Sequence, residues 1–200
     1  MKELVFATGN QAKIARFFDK LQKEDIKLES IKELNIKLDC EENGKNAVEN
    51  ALIKARCCHE KCKNAVIGMD DTLYMEGVTE DKQQGLFVRR VNGKTLNDEE
   101  MIEHYKNLVD EYGQDGKINC KWIYGLAIID ETGKESTYTW EKADFYMVNK
   151  VSDKINPGYP LNSISKYKKL DKYFTDITED EKERIKVDES DVINFIKNHI

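Results

Sequence analysis

Short apolar runs alternate with longer stretches of helical period through the first half of the chain, and this alternation is the main guide to its architecture. Leu4-Val5-Phe6 falls in a predicted strand over residues 3–8, followed by a helix from about 11 to 22 and a second strand near 26–32. A polar loop around Cys40 to Gly44 leads into an amphipathic helix from about 46 to 62. On that helix Val48, Ala51, Ala55, Cys58 and Cys62 share one face, in steps of three and four. The run Ala65-Val66-Ile67-Gly68-Met69 reads as a buried strand ending in Asp70-Asp71, and residues 76–96 as an irregular polar loop. Asn97 is the expected N-cap of a helix reaching about Tyr112, with Met101, Ile102, Tyr105, Leu108 and Val109 as its apolar stripe. Residues 118–130 and 135–147 read as two strands joined by a turn at Asp130-Glu131-Thr132-Gly133, and the tail carries helices near 178–185 and 189–199. Strands alternating with helices, then an antiparallel pair, predict an α/β fold around a mixed sheet.

Composition narrows the classes. A chain of 200 residues suffices for one domain over 1–200, divided into two lobes. Charged residues make up 35% and the formal net charge is -6, which disfavours a nucleic acid polymer as partner. A small anionic substrate would need locally placed Lys and Arg, together with a cation. No apolar run approaches the roughly 20 residues that span a bilayer. Met1-Lys2-Glu3 leads straight into a strand without a signal-peptide core, so no membrane partner and a cytoplasmic location are expected. The five cysteines, Cys40, Cys57, Cys58, Cys62 and Cys120, lack disulfide-framework spacing. Those on the 46–62 helix read as small core residues, since no second Cys/His cluster completes a tetrahedral metal site.

The chemistry gathers at three places. Directly behind the first strand comes Ala7-Thr8-Gly9-Asn10-Gln11-Ala12-Lys13. Gly9 allows close backbone approach, Thr8 and Asn10 can donate hydrogen bonds, and Lys13 adds positive charge one helical turn on, as a phosphate requires. The same turn also suits an ordinary strand–helix connection. Two acidic clusters, Glu41-Glu42-Asn43-Gly44 and Asp70-Asp71-Thr72, follow in the chain. Taken singly these read as a solvated loop and a cap or turn. Placed beside a phosphate cradle they make electrostatic sense around a divalent cation, and magnesium takes one or two carboxylates plus phosphate oxygens and waters. A remaining carboxylate could orient or deprotonate a water. His59, His104 and His199 read as surface or satisfied positions, Trp122 and Trp140 as parts of the core hairpin, and Lys166-Tyr167-Lys168-Lys169 as a solvated loop.

These motifs resemble the inosine/xanthosine triphosphate pyrophosphatase family. Phe6 to Lys13 is similar to its N-terminal motif, and Glu41-Glu42-Asn43-Gly44 with Glu49-Asn50-Ala51-Leu52-Ile53-Lys54-Ala55 to its second stretch. Asp70-Asp71-Thr72 matches its acidic strand end. Gly85-Leu86-Phe87-Val88-Arg89 and Asp176 to Lys182 resemble later elements, and the likeness is strongest in the first 75 residues. The resemblance implies an elongated mixed β-sheet flanked by helices, two lobes with a central cleft, and a homodimer. It implies magnesium-dependent hydrolysis of a nucleoside triphosphate, such as an inosine or xanthosine triphosphate, to monophosphate and pyrophosphate. By position, Thr8, Gly9, Asn10, Lys13, Lys54 and Lys182 would meet the phosphates. Glu41 and Asp71 would serve the metal, and Asp71, with Asp70 second and Lys13 beside them, would carry the chemistry. Tyr159 would stack a base, next to Asn162 where the family has aspartate, and Lys186-Val187-Asp188 replace its Ser-His-Arg element. The rewritten base-reading half leaves two alternatives: a nucleotide-binding module with little turnover, or a hydrolase of another nucleotide phosphoanhydride.

Overall fold

The computed structural model describes residues 1–200. Nine strands and five helices follow in order: β1 (Lys2–Phe6), α1 (Gln11–Gln22), β2 (Ile26–Ser30), α2 (Ala47–Cys62), β3 (Val66–Met75), β4 (Arg90–Val91), β5 (Lys94–Thr95), α3 (Asp98–Tyr112), β6 (Lys117–Ile129), β7 (Glu135–Val148), β8 (Ser165–Tyr167), β9 (Lys172–Tyr173), α4 (Glu179–Ile185) and α5 (Ser190–Asn198). Seven strands form one sheet in the order β2-β1-β3-β6-β7-β8-β9, and β4-β5 form a separate pair. β1 pairs in parallel with both β2 and β3, whereas β7-β8 and β8-β9 are antiparallel. This is the expected mixed α/β sheet flanked by helices. No helix is long and apolar enough to cross a membrane.

By contacts the chain divides into two compact units: residues 1–71, 124–140 and 188–200, and residues 72–123 and 141–187. The first has its core where α2 meets the parallel strands. Leu4, Val5 and Phe6 are fully buried, the continuous apolar run expected of a parallel strand covered on both faces. The α2 residues facing the sheet are small: Ala51, Ala55 and Cys58, all fully buried. Close packing follows from two glycines. A Cβ on Gly68 of β3 would lie 2.1 Å from the Ala51 carbonyl oxygen, and one on Gly125 of β6 would lie 2.3 Å from Ala47 at the start of α2. The second unit buries the α3 stripe of Met101, Ile102, Tyr105, Leu108 and Val109 with Leu73, Met75, Phe145 and Met147. Asn97 caps α3 through a capping box with Glu100, as its sequence predicts.

Three stretches differ from expectation, one of them 76–96, expected as irregular loop, where β4 and β5 form a short antiparallel pair. β3 does not stop at Asp71 but runs on to Met75, because Leu73 and Met75 alternate into the core and Leu73 N–H donates to the Gly85 carbonyl at 3.1 Å. The acidic pair therefore sits within a strand. Lys166-Tyr167-Lys168-Lys169, expected as a solvated loop, begins inside the short β8 and leads to β9, and the Tyr167 ring stacks on Phe174 at 4.0 Å.

Candidate active site

The order β2-β1-β3 makes β1 a topological switch point. The chain leaves β1 through α1 to β2 on one side and returns through α2 to β3 on the other. In such sheets ligands bind beyond the carboxyl ends of the two diverging strands. The register pairs Phe6 with Ile67, so β1 ends there while β3 continues into Asp70 and Asp71. The Thr-Gly-Asn turn and the acidic pair thus meet at the place the topology reserves for a ligand.

The turn is built as a helix start. Ala7 N–H donates to the Ile67 carbonyl at 2.8 Å, anchoring the turn to β3. Asn10 N–H donates to Thr8 Oγ1 at 3.1 Å, so the Thr8 hydroxyl accepts and keeps its own proton for an outside acceptor. Asn10 Oδ1 accepts from Ala12 N–H at 2.9 Å, capping α1. The cap uses the carboxamide oxygen, leaving the NH2 group as the donor that sequence reading assigned to Asn10. The first turn of α1 holds no acidic residue, so its dipole favours an anion. A Cβ on Gly9 would meet nothing within 4 Å. No packing demands glycine there, and the space beside it is open.

Against this turn lies a compact ion cluster. Lys13 pairs with Asp71 and lies 3.7 Å from Asp70 Oδ1. Lys54, from α2, lies 3.3 Å from the same Asp70 oxygen and 2.9 Å from Glu42 Oε2. Burial alone would lower the Lys54 pKa, but the Asp70 charge and Glu42 outweigh it and hold the ammonium above its ordinary value. Lys54 is therefore a fixed cation, its side chain only 13% exposed. Asp70 Oδ1 also accepts from the Asp71 amide at 3.0 Å. Asp71 Oδ1 is buried and makes no hydrogen bond, meeting only the Lys13 ammonium as an ion pair. Asn50, buried on α2, accepts from Gly44 N–H at 2.8 Å and ties the acidic loop to the helix.

Of the residues expected from sequence, Lys13, Lys54, Asp70 and Asp71 come together under the Thr8–Asn10 turn. Glu41 does not join them: its side chain is exposed, and the loop acid that reaches Lys54 is Glu42. No group of three or more His, Cys, Asp or Glu is arranged as a metal cage.

A second cluster escaped sequence reading. Arg16, three residues after Lys13 on α1, lies 4.4 Å above the Tyr124 ring, which stacks on Trp140 at 4.9 Å. Arg16 Nε donates to Glu189 Oε1 at 2.8 Å. Burial would lower the Arg16 pKa, yet Glu189 and the Tyr124 oxygen raise it. Burial pushes the Tyr124 hydroxyl up, and Asp71 is among the charges acting on it. The three-residue step from Lys13 was the available signal, since it puts Arg16 on the same helical face.

The remaining expected residues belong to the second unit. Tyr159, 52% exposed, precedes a 3-10 turn at Pro160–Ser163, and Asn162 N–H donates to the Tyr159 carbonyl at 3.1 Å. Asp98 fixes the preceding residue: Arg89 donates to its Oδ1 at 2.8 Å and Gly158 N–H to its Oδ2 at 2.7 Å. The guanidinium first and the Gly158 amide second hold the Asp98 carboxyl below its usual range. Lys182 is exposed on α4 and pairs with Glu179.

Strands diverging at a switch point, a capped helix N-terminus and two lysines over paired carboxylates define an α/β protein with a charged candidate site at its strand ends. The Ham1 family model matches residues 4–189, and the chain belongs to the Ham1 family. The dITP/XTP pyrophosphatase of Thermoanaerobacter pseudethanolicus is 25% identical over 198 residues, covering 99% of this chain and 96% of that protein. The dITP/XTP pyrophosphatase of Caldanaerobacter subterraneus subsp. tengcongensis is 37% identical over 101 residues, a match spanning 50% of each chain. Among solved structures, the Staphylococcus aureus Ham1 protein is similar with a TM-score of 0.75 at 23% identity, covering 98% of this chain and 97% of that one, which establishes the shared fold.

Proposed function

We propose that this chain hydrolyses a nucleoside triphosphate with a non-standard purine base, of the inosine or xanthosine type, to the monophosphate and pyrophosphate. The observation that carries the reading is the convergence of Lys13 and Lys54 on Asp70 beside the N-terminus of α1. The names of the full-length relatives support the pyrophosphatase activity and the purine class.

Three carboxylates, from Glu42, Asp70 and Asp71, face two ammonium groups, from Lys13 and Lys54. The lysines offset two of these three negative charges until a polyphosphate and a cation arrive. The Thr8 hydroxyl and the Asn10 NH2 receive phosphate oxygens beside the N-terminus of α1, and the two ammonium groups turn from carboxylate to phosphate. Such donors, fixed before the reaction, also favour the charge that develops on the departing pyrophosphate.

A hard divalent cation suits the oxygens thereby released. Asp71 Oδ1, buried without a hydrogen bond, is a ligand in waiting, and magnesium needs only one or two carboxylates when the substrate supplies the rest. Bound by Asp71, with Asp70 or the loop acids Glu41 and Glu42 alongside, it would neutralise the triphosphate and polarise the attacked phosphorus. A carboxylate of the Asp70–Asp71 pair left free orients the attacking water and takes its proton.

In the second unit, Tyr159 offers an exposed ring for a purine base, its loop steadied by Asp98 and Arg89. Asn162 and Lys182 are the further contacts to base and phosphate in this reading. We take the whole of residues 1–200 to act as one domain, in a cytoplasmic homodimer, which sizing chromatography checks. The test of function is a panel of triphosphates, including those of inosine, xanthosine and the standard bases, read as liberated pyrophosphate with and without magnesium. Release greatest for the inosine and xanthosine forms and dependent on the metal is expected. Release from none of them would end the reading.

A further inference from the structure

Residues 37–42 lie along α2 in the reverse direction, and one stripe of the helix grips them. Lys61 holds the Lys37 carbonyl oxygen and lies 3.5 Å from Asp39 Oδ2. Lys54 holds Glu42 at 2.9 Å. Cys57 stands between these two lysines on the same face, three residues after one and four before the other. Cys40 stands between Asp39 and Glu42 on the facing segment. The antiparallel lay therefore sets the two cysteines opposite each other, where burial first and Cys57 second push the Cys40 thiol up. Both are only partly buried. Cys58, by contrast, is fully buried, its thiol pushed up to about 12 by burial and by Cys62. It behaves as a core residue. Nothing in the pyrophosphatase reading uses Cys40 or Cys57.

We propose that Cys40 and Cys57 are a reversible dithiol–disulfide pair that, once oxidised, staples the 37–42 segment to α2. With a hydroperoxide as oxidant, the thiolate of one cysteine attacks the peroxide, the O–O bond breaks, and a sulfenic acid and an alcohol or water form. The second thiol then attacks that sulfur, the S–S bond forms, and water leaves with the second thiol's proton. The two thiols lose two electrons in all, and the peroxide gains them. The staple lies one helical turn from Lys54 and two residues from Glu42, so it fastens the acidic loop beside the ion cluster. A thiol such as dithiothreitol restores the open form by exchange.

The pairing is tested on the full chain and needs no substrate. Reduced protein is treated with hydrogen peroxide, digested without reductant and mapped by fragmentation mass spectrometry. A Cys40–Cys57 cross-link reversed by dithiothreitol is expected, absent in Cys40→Ser and in Cys57→Ser but present in Cys58→Ser and Cys62→Ser. Hydrogen exchange across 37–42 should slow in the oxidised wild type. A cross-link from Cys40 or Cys57 to any other cysteine would overturn the proposal. So would over-oxidation without cross-linking, or no reaction at a dose that oxidises free glutathione.

Discussion

Replacing Lys54 by methionine removes one ammonium group from the ion cluster while keeping the apolar stem. Glu42, 46% exposed, loses its 2.9 Å partner and turns to water, at the small cost of an exposed pair, about 0–1 kcal/mol. Asp70 is different. Its side chain is only 14% exposed, and it is left with Lys13 at 3.7 Å as its remaining cation. Breaking a fully buried pair costs about 3–5 kcal/mol, so this partly buried one should cost about 2 kcal/mol. In a chain of this size that lowers the Tm by about 4–8 °C. If Lys54 also binds phosphate, catalysis suffers more than folding, by about 100- to 1,000-fold in kcat, as when one preformed donor to a developing anion is deleted. Thermal shift and pyrophosphate release on the same preparation separate the two effects. Wild type should gain about 2.7 kcal/mol from triphosphate at one hundred times its Kd, and Lys54→Met should gain far less at that concentration. A variant with the lowered Tm but undiminished turnover would show that Lys54 only neutralises Asp70.

Three further outcomes follow from the geometry. Gly68→Ala drives a methyl to 2.1 Å from the Ala51 carbonyl, and overpacking of this kind costs about 1–3 kcal/mol, read as a lower Tm. Gly9→Ala, whose methyl meets nothing within 4 Å, should leave the Tm unchanged yet weaken triphosphate binding, measured by calorimetry; unchanged affinity would place the anion elsewhere. For Glu189, burial would raise the carboxyl pKa, but hydrogen bonds from Arg16 and Lys20 depress it. A depressed pKa gives stability that is present above the unfolded value and lost as pH falls through the folded one. Glu189→Gln should therefore lower the Tm at neutral pH and flatten its fall below about pH 5, in a pH series of melting curves.

Much of this was legible in the chain because the signals are local. α1 and α2 lie close to the 11–22 and 46–62 expected of them, and in the structure Asn10 and Asn46 cap their first turns. The Thr8–Lys13 turn and the Asp70–Asp71 pair were visible as motifs, and the parallel pairing of β1 with β3 brings them together. Non-local detail was not legible. β3 outruns its apolar run because Leu73 and Met75 find partners far along the chain, and two- and three-residue strands such as β9 and β8 are too short to carry a period. The choice of Glu42 over Glu41 as partner of Lys54 depends on how Asn50 ties down the loop at Gly44, which adjacent acids cannot reveal. The Arg16–Glu189 pair joins residues 173 positions apart, beyond any local pattern.

The most direct test of the central claim is product analysis for inosine triphosphate with wild type and with Asp71→Asn, side by side at saturating magnesium. Wild type should yield inosine monophosphate and pyrophosphate in equal amounts. The variant, folded by circular dichroism, should lose at least about 100-fold of that rate. Orthophosphate in place of pyrophosphate, or a variant as fast as wild type, would contradict the account.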